Sequence, residues 1–585
     1  MKSTKDSIIL NQVGFQVNTR KLFYAPKSFE NQFQIEKMQD CEFTPVFRST
    51  LKESPDADTR VGDFTSVTEE GIYRIKVGSR NSRIFVIQNA MNDPIQRLLF
   101  NFVTWQSCGS PLGWNGPCHL DESITLGTGE QRSLAGGFHQ SSDLRKWSWG
   151  ISLGMIGLIE YALKSKPAWD QGELAREIKH GADFYLRLIL DDGSVLDSTF
   201  VPLDDENQPL ERRDAQHLTI HGKGYDDYSI MWNSREFYER PTAPPGQWFT
   251  IRFLSLAARY FDGIDYDFSE RCLSGAKRIW DYMDKNAKAL YPYKVATLPP
   301  LGHEPLNKWW TPFYENSAME LAGKASAAIE LALASKSTSF DSVISECLNE
   351  LCKLQISGSD DILNGSFWEG TSERLANNYH YFFTTTVPYA ICLGIELLEI
   401  RQDVTTWRNS LKLICDQYVA VSKKNVFNRI QGNLFTSDIF EEGANFSFSE
   451  ELAVEPKEKF PAGTFNGITF SYRYFSFCYN LDLSVASVIL KKAGKLFANQ
   501  DYADVAQSQI DWLLGANPFD SSSVEGLGYN NPHRGVFGEF FPPVPQIPGG
   551  VYTGLTEHAF WEEAYGLECE YDLPETTWLL YLLAL

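Results

Sequence analysis

The stretch DLRKWSWGISLGMIGLIEYALK, residues 143–164, indicates the main fold class. Its apolar residues recur three or four positions apart, the period of a helix with one buried face, at Leu144, Trp147, Ile151, Met155, Leu158 and Ala162. Similar periodicity occurs at roughly 93–107, 171–190, 246–261, 268–286, 314–335, 339–355, 379–399, 403–422, 468–494, 499–514 and 574–585. Twelve helices without intervening strands predict six helical hairpins closed into a mainly α fold, an (α/α)6 barrel.

A different pattern precedes the helices. Within residues 7–90 the short runs SIILNQVGF, KLFYAP, QFQIEK, GIYRIKVG and SRIFVIQ are rich in β-branched and aromatic residues, and turn-forming residues separate them. In YRIKV, Tyr73, Ile75 and Val77 share one face of a strand, whereas Arg74 and Lys76 share the other. This alternation predicts a small antiparallel β-sandwich over residues 1–90, followed by the helical domain over residues 91–585.

The composition excludes several classes of partner. Nucleic acids and anionic membranes are bound through basic surfaces, so a formal net charge of -22 makes neither an expected partner. The sequence has no uninterrupted run of about 18 apolar residues, and its first residues lack the apolar core of a signal peptide. Ten cysteines are scattered without a CxxC pair, which agrees with reduced thiols. We therefore expect a cytoplasmic protein.

Asp143 lies where the helical pattern of residues 143–164 begins. Ser141, Ser142 or Asp143 could cap this helix, because an acceptor side chain at the first turn satisfies free N–H groups and the helix dipole favours an acid there. The same dipole keeps the carboxylate ionised, as a general base requires. Spacing alone leaves both roles open.

The C-terminal segment ECEYDLPETTW, residues 568–578, holds further carboxylates. Pro574 suits the first turn of the last helix, and Asp572 with Glu575 three residues later predicts a capping box. Glu568 and Glu570 precede that helix, and the apolar neighbours of Glu570 could desolvate it and raise its pKa. Composition does not separate Glu570 from Glu568, and either could be a solvated loop acid. One ionised and one protonated carboxylate on opposite sides of a cleft are what the hydrolysis of a glycosidic bond requires.

Other motifs are weaker. The segment PCHLDE, residues 117–122, contains four potential metal ligands, Cys118, His119, Asp121 and Glu122. Their spacing matches no common zinc pattern, so we expect neither a metal nor a cofactor. His533 and Arg534 follow a loop rich in Gly, Asn and Pro, and they could donate hydrogen bonds to sugar hydroxyls. The connections 191–245 and 516–556 are long enough to predict functional loops.

Five segments, taken in order, resemble glycoside hydrolase family 9, an inverting cellulase family. They are ILNQVGF with EEGIYRIKV and SRIFVIQ; QSCG with GPCHLDE; LAGGFHQSSDLRKW; WLLGANPFDSSSVEGLGYNNPHRG; and ECEYDLPETTWLLYLLA. The resemblance implies an immunoglobulin-like domain over residues 1–90 and a catalytic (α/α)6 barrel over residues 91–585.

The resemblance also implies roles for individual residues. Asp143 matches the catalytic base and Glu570 the general acid, with Glu568 as the alternative acid. Five residues are implied to bind substrate: His139, Gln140, Trp147, His533 and Arg534. Gln140 departs from the family pattern, because it stands where the family has a second aspartate that helps to hold the attacking water.

The expected substrate is a β-1,4-linked gluco-oligosaccharide, and an exo-acting β-glucosidase working on imported oligosaccharides is the first expectation. An exo-β-D-glucosaminidase acting on chitosan oligosaccharides and an endo-β-1,4-glucanase are the alternatives. A non-catalytic carbohydrate-binding protein is the alternative from another class. It would keep the aromatic residues and the fold but would not need both Asp143 and Glu570.

Overall fold

A computed structural model gives the structure of most of the chain. The described residues are 7–54, 58–114, 116–118, 120, 123–125, 131–133, 135–141, 146, 148–165, 171–196, 244–290, 315–358, 363–370, 386–430, 434–436, 459–465, 468–473, 479–532, 546–555 and 571–585. None of the helices formed by these residues is both long and apolar enough to cross a membrane.

The N-terminal domain is all-β, as its alternating sequence predicts. Its strands are β1 (Ile9–Leu10), β2 (Leu22–Pro26), β3 (Gln32–Gln39), β4 (Glu42–Thr50), β5 (Lys52–Glu53), β6 (Thr59–Asp63), β7 (Gly71–Val77), β8 (Arg80–Asn81) and β9 (Phe85–Ile87). One antiparallel sheet has the order β1-β2-β6-β5, and the other has the order β4-β3-β7-β8 with β9 also paired to β7. A core rich in phenylalanine, including Phe23, Phe33 and Phe85, fills the space between the sheets.

The rest of the described chain is mainly helical, with a short antiparallel pair of strands, β10 (Ser123–Thr125) and β11 (Gln131–Ser133), between the first two helices. Its helices are α1 (Asn92–Trp105), α2 (Ser148–Lys164), α3 (Gln171–Leu188), α4 (Pro244–Phe261), α5 (Tyr266–Leu290), α6 (Ala318–Ser335), α7 (Asp341–Lys353), α8 (Thr386–Leu398), α9 (Thr405–Ser422), α10 (Tyr479–Phe497), α11 (Gln500–Leu513) and α12 (Leu573–Leu583). Each of the twelve predicted helical ranges overlaps one of them. Strand β9 ends at Ile87 and α1 begins at Asn92, on either side of residue 90. The predicted domain limits, residues 1–90 and 91–585, stay predictions.

The even-numbered helices form a closed inner ring. Each of α2, α4, α6, α8, α10 and α12 packs against the next, and α12 packs against α2. The odd-numbered helices pack outside this ring, for example α5 on α4 and α11 on α10. The interior of the ring is mainly apolar and continuous with the core of the outer helices. The predicted fold class, an (α/α)6 barrel preceded by an immunoglobulin-like sandwich, is confirmed.

A buried ion pair lies inside the ring. Arg252 of α4 is 1% exposed, and its Nη2 donates to Glu160 Oε1 of α2 at 2.9 Å. Tyr389 of α8 donates to the same oxygen at 3.3 Å, and its ring lies 5.1 Å from the guanidinium carbon. These bonds join three inner helices. Because Arg252 is almost inaccessible to water, its positive charge is compensated by the negative charge of Glu160.

Two predicted helical boundaries are wrong. The range 143–164 was expected to be helical throughout, but α2 begins at Ser148, five residues after Asp143. The range 468–494 was expected to be one helix, but residues Ile468–Arg473 form strand β14 and α10 begins at Tyr479. The short sequence ITFSYR alternates β-branched or aromatic residues with others, which suits a strand better than a helix. Strand β14 pairs with β12 (Leu434–Thr436) and β13 (Lys459–Phe465) in a small antiparallel sheet.

Candidate active site

A continuous set of backbone pairs crosses one end of the barrel. Ser107 pairs with Phe138, and Ser141 pairs with Asp572. Strand β15 (Val551–Tyr552) pairs with β16 (Tyr571–Asp572), and Val524 pairs with Val551. The same end of the barrel therefore joins the segment before α2, the segment before α12 and the loop after α11.

The Ser141–Asp572 pair links the starts of two neighbouring inner helices. Leu573 N donates to Gln140 O at 2.8 Å, next to the bridge. Ser141 and Asp572 are 3% and 2% exposed, so these backbone groups are shielded from water. Such a buried link fixes how the two segments lie relative to each other.

Gln140 strengthens this link through its side chain. Its Nε2 donates to Asp572 Oδ2 at 3.0 Å, and Gln140 is 5% exposed. Its Oε1 is buried against α2, where a Cβ on Gly150 would lie 1.8 Å from it. Among the described residues this oxygen has no hydrogen-bond partner. A glutamate at position 140 would place a second carboxylate against Asp572, whereas the amide donates to it.

The capping box predicted for the last helix does not form as expected. Asp572 does occupy the N-cap position of α12, with Pro574 in the first turn, but its side chain makes no capping hydrogen bond. The side chain of Asp572 accepts from Gln140 instead. Sequence spacing could not reveal this, because the donor lies 432 positions away along the chain.

The structure describes only some of the predicted site residues. His139 and Gln140 are buried beside the bridge. Asp143, Trp147, His533, Arg534, Glu568 and Glu570 lie outside the described residues. The nearest described residues to Asp143, His533 and Glu570 are Ser141, Pro532 and Tyr571. Their catalytic and binding roles stay predictions.

His139 belongs to a group of three potential metal ligands that the sequence analysis missed. Its Nε2 lies 3.4 Å from Cys118 Sγ, and Cys118 Sγ lies 4.0 Å from Cys108 Sγ. All three ligand atoms lie within 4.8 Å of one another. Tetrahedral zinc with bonds of about 2.0–2.3 Å needs ligand atoms at such separations, and thiolate and imidazole are the ligands that zinc prefers.

The backbone explains how these distant residues meet. Cys108 N donates to Gly137 O at 2.8 Å, and His139 N donates to Gln106 O at 2.9 Å. The ring Nε2 of His180 lies 3.0 Å from Cys108 O and 2.8 Å from Gly137 O. Of the three potential ligands, only Cys118, in PCHLDE, was singled out in the sequence analysis as a metal-binding candidate. Its neighbours in the structure, Cys108 and His139, are 10 and 21 positions away along the chain. His119, a candidate fourth ligand, lies outside the described residues.

The sequence led us to expect no metal, but from this geometry we predict that the group binds zinc and holds the chain just before Gln140. The purified protein should contain about one zinc ion per chain, since three preassembled N and S ligands favour it. Cys118→Ser should reduce the zinc content to near zero and lower the melting temperature. Metal analysis and thermal unfolding test this, with Cys352→Ser as a control because that partly exposed cysteine lies outside the group. Equal zinc contents in the wild type, Cys118→Ser and Cys352→Ser would contradict the assignment.

Comparisons with known proteins agree with the observed fold. The profile described as glycosyl hydrolase family 9 matches residues 96–536, and the profile described as a cellulase N-terminal ig-like domain matches residues 3–82. A cellodextrinase from Butyrivibrio fibrisolvens is 26% identical over 218 residues, covering 32% of this chain and 39% of that protein. Endoglucanase D from Acetivibrio thermocellus is 22% identical over 311 residues, covering 48% of this chain and 46% of that protein. The chain spans less than half the length of either curated relative.

Solved structures share the whole architecture. A mutant thermostable endoglucanase from Alicyclobacillus acidocaldarius has a TM-score of 0.66 at 16% identity, covering 99% of both chains. The structure of AaCel9A in complex with cellobiose-like isofagomine has a TM-score of 0.67 at 16% identity, again over 99% of both chains. These likenesses concern the fold. Since the family profile matches more than half of the sequence, the chain belongs to glycosyl hydrolase family 9.

Proposed function

We propose that the chain is an inverting glycoside hydrolase that acts on β-1,4-linked gluco-oligosaccharides. Membership of the family supports the reaction class, and the names of the curated relatives, a cellodextrinase and an endoglucanase, support the substrate class. The observation that carries the proposal is the antiparallel bridge between Ser141 and Asp572.

This bridge connects the two proposed catalytic segments. Asp143 follows Ser141 by two residues, and Glu570 precedes Asp572 by two residues. Because the bridge is antiparallel, the chain after Ser141 and the chain before Asp572 leave it on the same side. Two residues span at most about 7 Å, and bridged Cα atoms lie about 5 Å apart, so chain connectivity limits the two Cα atoms to about 20 Å. Carboxyl groups about 6.5–9.5 Å apart, as inversion requires, fit within this limit.

The proposed roles follow from the two positions. Asp143 lies five residues before the start of α2 and, as an ionised carboxylate, takes a proton from the attacking water. Glu570 precedes α12 and gives its proton to the oxygen of the leaving sugar. The water attacks the anomeric carbon from the face opposite the leaving group, so the configuration at that carbon inverts.

Gln140 has a supporting role in this proposal. In the family pattern an aspartate at this position helps to hold the water, but the Gln140 amide donates to Asp572 and its oxygen is buried against Gly150. We infer that Gln140 aligns the two catalytic segments rather than holding the water by itself. A single carboxylate, Asp143, then activates the water.

Exo action on short oligosaccharides is the first proposal, and endo action on longer glucans is the second. The cellodextrinase relative favours the first, whereas the endoglucanase relative and the endoglucanase structural neighbours favour the second. Each of these names describes that other protein. The distinction depends on whether one end of the cleft is closed, which the products of the reaction report.

A panel of four substrates tests the function. Cellobiose, cellotetraose, the β-1,4 dimer of glucosamine and soluble carboxymethylcellulose are each incubated with the full chain, and the products are separated by anion-exchange chromatography. We expect glucose as the first product from cellotetraose and little loss of viscosity from carboxymethylcellulose. Early release of cellobiose and cellotriose with a rapid fall in viscosity would support the endoglucanase, and release of glucosamine alone would support the glucosaminidase. No product from any substrate, with sugar binding retained, would reject the hydrolase in favour of a binding protein.

A further inference from the structure

The β domain inserts one side chain into a loop of the helical domain. Gln12, between β1 and β2, is 8% exposed, and its backbone N–H donates to Leu514 O at 2.7 Å. Its side-chain Nε2 donates to the backbone oxygen of Asp520 and lies 3.2 Å from Asp520 Oδ1. Its Oε1 accepts from Tyr529 N at 3.0 Å and from Asn530 N at 3.3 Å. The side-chain amide therefore joins Asp520 to residues 529–530 within the loop 514–532 that follows α11.

The loop is shaped around this side chain. Gly515 and Gly528 have φ angles of 116° and 81°, in the region that favours glycine. A Cβ on Gly515 would lie 2.4 Å from Gln12 Cγ, and a Cβ on Gly528 would lie 2.5 Å from Gln12 Oε1. Two glycines thus leave the space that Gln12 fills, and the fit is not a loose surface contact.

A second residue of the β domain holds the same loop. The guanidinium carbon of Arg83 lies 4.5 Å from the centre of the Tyr529 ring. The Tyr529 hydroxyl donates to Asp520 Oδ1 at 2.6 Å. Downstream, Asn531 Nδ2 donates to Val524 O at 2.8 Å and its Oδ1 accepts from Gly526 N at 3.3 Å. These bonds hold the segment 526–531, which directly precedes Pro532.

The residues after Pro532 are those proposed to bind the sugar. His533 and Arg534 follow directly in the sequence. We propose that Gln12 is a positioning residue for substrate binding, which acts from the β domain by fixing the loop that leads into His533 and Arg534. This inference rests on the proposed function, because it assigns a consequence to the substrate-binding role of those two residues.

The carboxyl group of Asp520, beside Gln12, allows a pH-dependent test that distinguishes a specific hydrogen bond of Gln12 from general packing. Burial raises the pKa of Asp520 to about 6, although hydrogen bonds from Tyr529 and Gln12 and the charge of Arg83 oppose this rise. The titratable or charged groups around Gln12 are therefore the Asp520 carboxyl, the Tyr529 phenol and the Arg83 guanidinium. Gln12→Glu keeps the acceptor for Tyr529 N and Asn530 N but replaces the donor to Asp520 with a second carboxylate. Below about pH 6 a shared proton relieves the repulsion, and above it two negative charges oppose each other.

The first experiment separates substrate positioning from domain packing. For Gln12→Ala we expect KM for the best oligosaccharide of the substrate panel to rise about three- to tenfold with kcat within about twofold. The matched control is Tyr24→Phe, at the same domain interface but on a different element, where the Tyr24 ring packs 4.5 Å from that of Phe427. This control should leave KM unchanged. Equal increases for both variants, or a loss of thermal stability without a change in KM, would overturn the proposal.

The pH dependence is the second readout. The ratio of the Gln12→Glu KM to the wild-type KM should fall towards one as the pH is lowered from 7.5 to 5, because protonation restores a hydrogen bond between the two carboxyl groups. The corresponding ratio for Gln12→Ala should stay constant over the same range. A constant ratio for Gln12→Glu would contradict the role of the Asp520 contact.

Hydrogen–deuterium exchange tests the loop without relying on catalysis. Gln12→Ala should increase exchange in peptides covering 526–532, since the amides of Tyr529 and Asn530 lose their acceptor, and Tyr24→Phe should not. Unchanged exchange would overturn the proposal even if KM rises. If the wild-type protein hydrolyses none of the panel, the proposed function fails and the substrate half of this inference fails with it, while exchange still decides whether Gln12 holds the loop.

Discussion

Asp143→Asn is expected to lower kcat on β-glucosides by about 10²–10⁴-fold, the usual contribution of a positioned general base. The variant keeps the size of the side chain, so the melting temperature should stay close to that of the wild type. Glu570→Gln should have a loss of similar size, because the leaving oxygen no longer receives a proton. The measurement is steady-state kinetics on the best substrate of the panel, together with thermal unfolding.

The pH profile distinguishes the two roles. A base and an acid acting together give a bell-shaped dependence of kcat/KM on pH. Asp143→Asn should remove the acidic limb of this profile, since no base then needs to be deprotonated, and Glu570→Gln should remove the basic limb. A substrate with a good leaving group should restore much of the activity of Glu570→Gln but not that of Asp143→Asn.

Glu568→Gln is the matched control, because Glu568 lies two residues from Glu570 in the same segment. We expect its kcat to stay within about twofold of the wild type. The reverse pattern, with Glu568→Gln inactive and Glu570→Gln active, would assign the acid to Glu568. Full activity of Asp143→Asn would reject the assigned base.

The second large effect concerns stability. Glu160→Leu is expected to lower the free energy of unfolding by about 3–5 kcal/mol, because it leaves the charge of Arg252 buried without its main compensating partner. Arg252 is 1% exposed and bonds to Glu160 at 2.9 Å. Urea unfolding followed by tryptophan fluorescence measures the loss.

Two further variants make this prediction specific. Glu160→Leu combined with Arg252→Met should recover most of the lost stability, since an apolar pair of similar volume removes both charges. Glu399→Leu, which breaks a half-exposed ion pair with Arg408 on the outside of the same barrel, should cost less than about 1 kcal/mol. A similar loss for Glu160→Leu and Glu399→Leu would show that burial of the ion pair does not matter.

The architecture could be predicted from the sequence because it depends on periodicity. The apolar residues of 143–164 recur at helical spacing, and α2 is observed at Ser148–Lys164. The β domain followed from alternation, as in Tyr73, Ile75 and Val77, which are all buried. Periodicity failed at Ile468–Arg473, where a short alternating run was merged with the following helix.

The contacts of the site could not be predicted, because they join residues that are far apart in sequence. Asp572 looked like a helix cap from its position, yet its side chain accepts from Gln140 across the domain. The ring of His139 lies beside the thiol of Cys118, a contact that the spacing of these residues did not indicate, and its role in substrate binding stays a prediction. The insertion of Gln12 into the loop 514–532 gave no local signal at all, since its bonding partners are more than 500 positions away.

The most direct test of the account is a crystal structure of the full chain with an unreacted oligosaccharide bound to Asp143→Asn. The account predicts that the carboxamide at 143 and the carboxyl group of Glu570 lie on opposite sides of one glycosidic bond, about 6.5–9.5 Å apart, with a water between the base position and the anomeric carbon. Side chains that point into separate cavities would contradict it, as would a separation near 5 Å, which is typical of retaining enzymes.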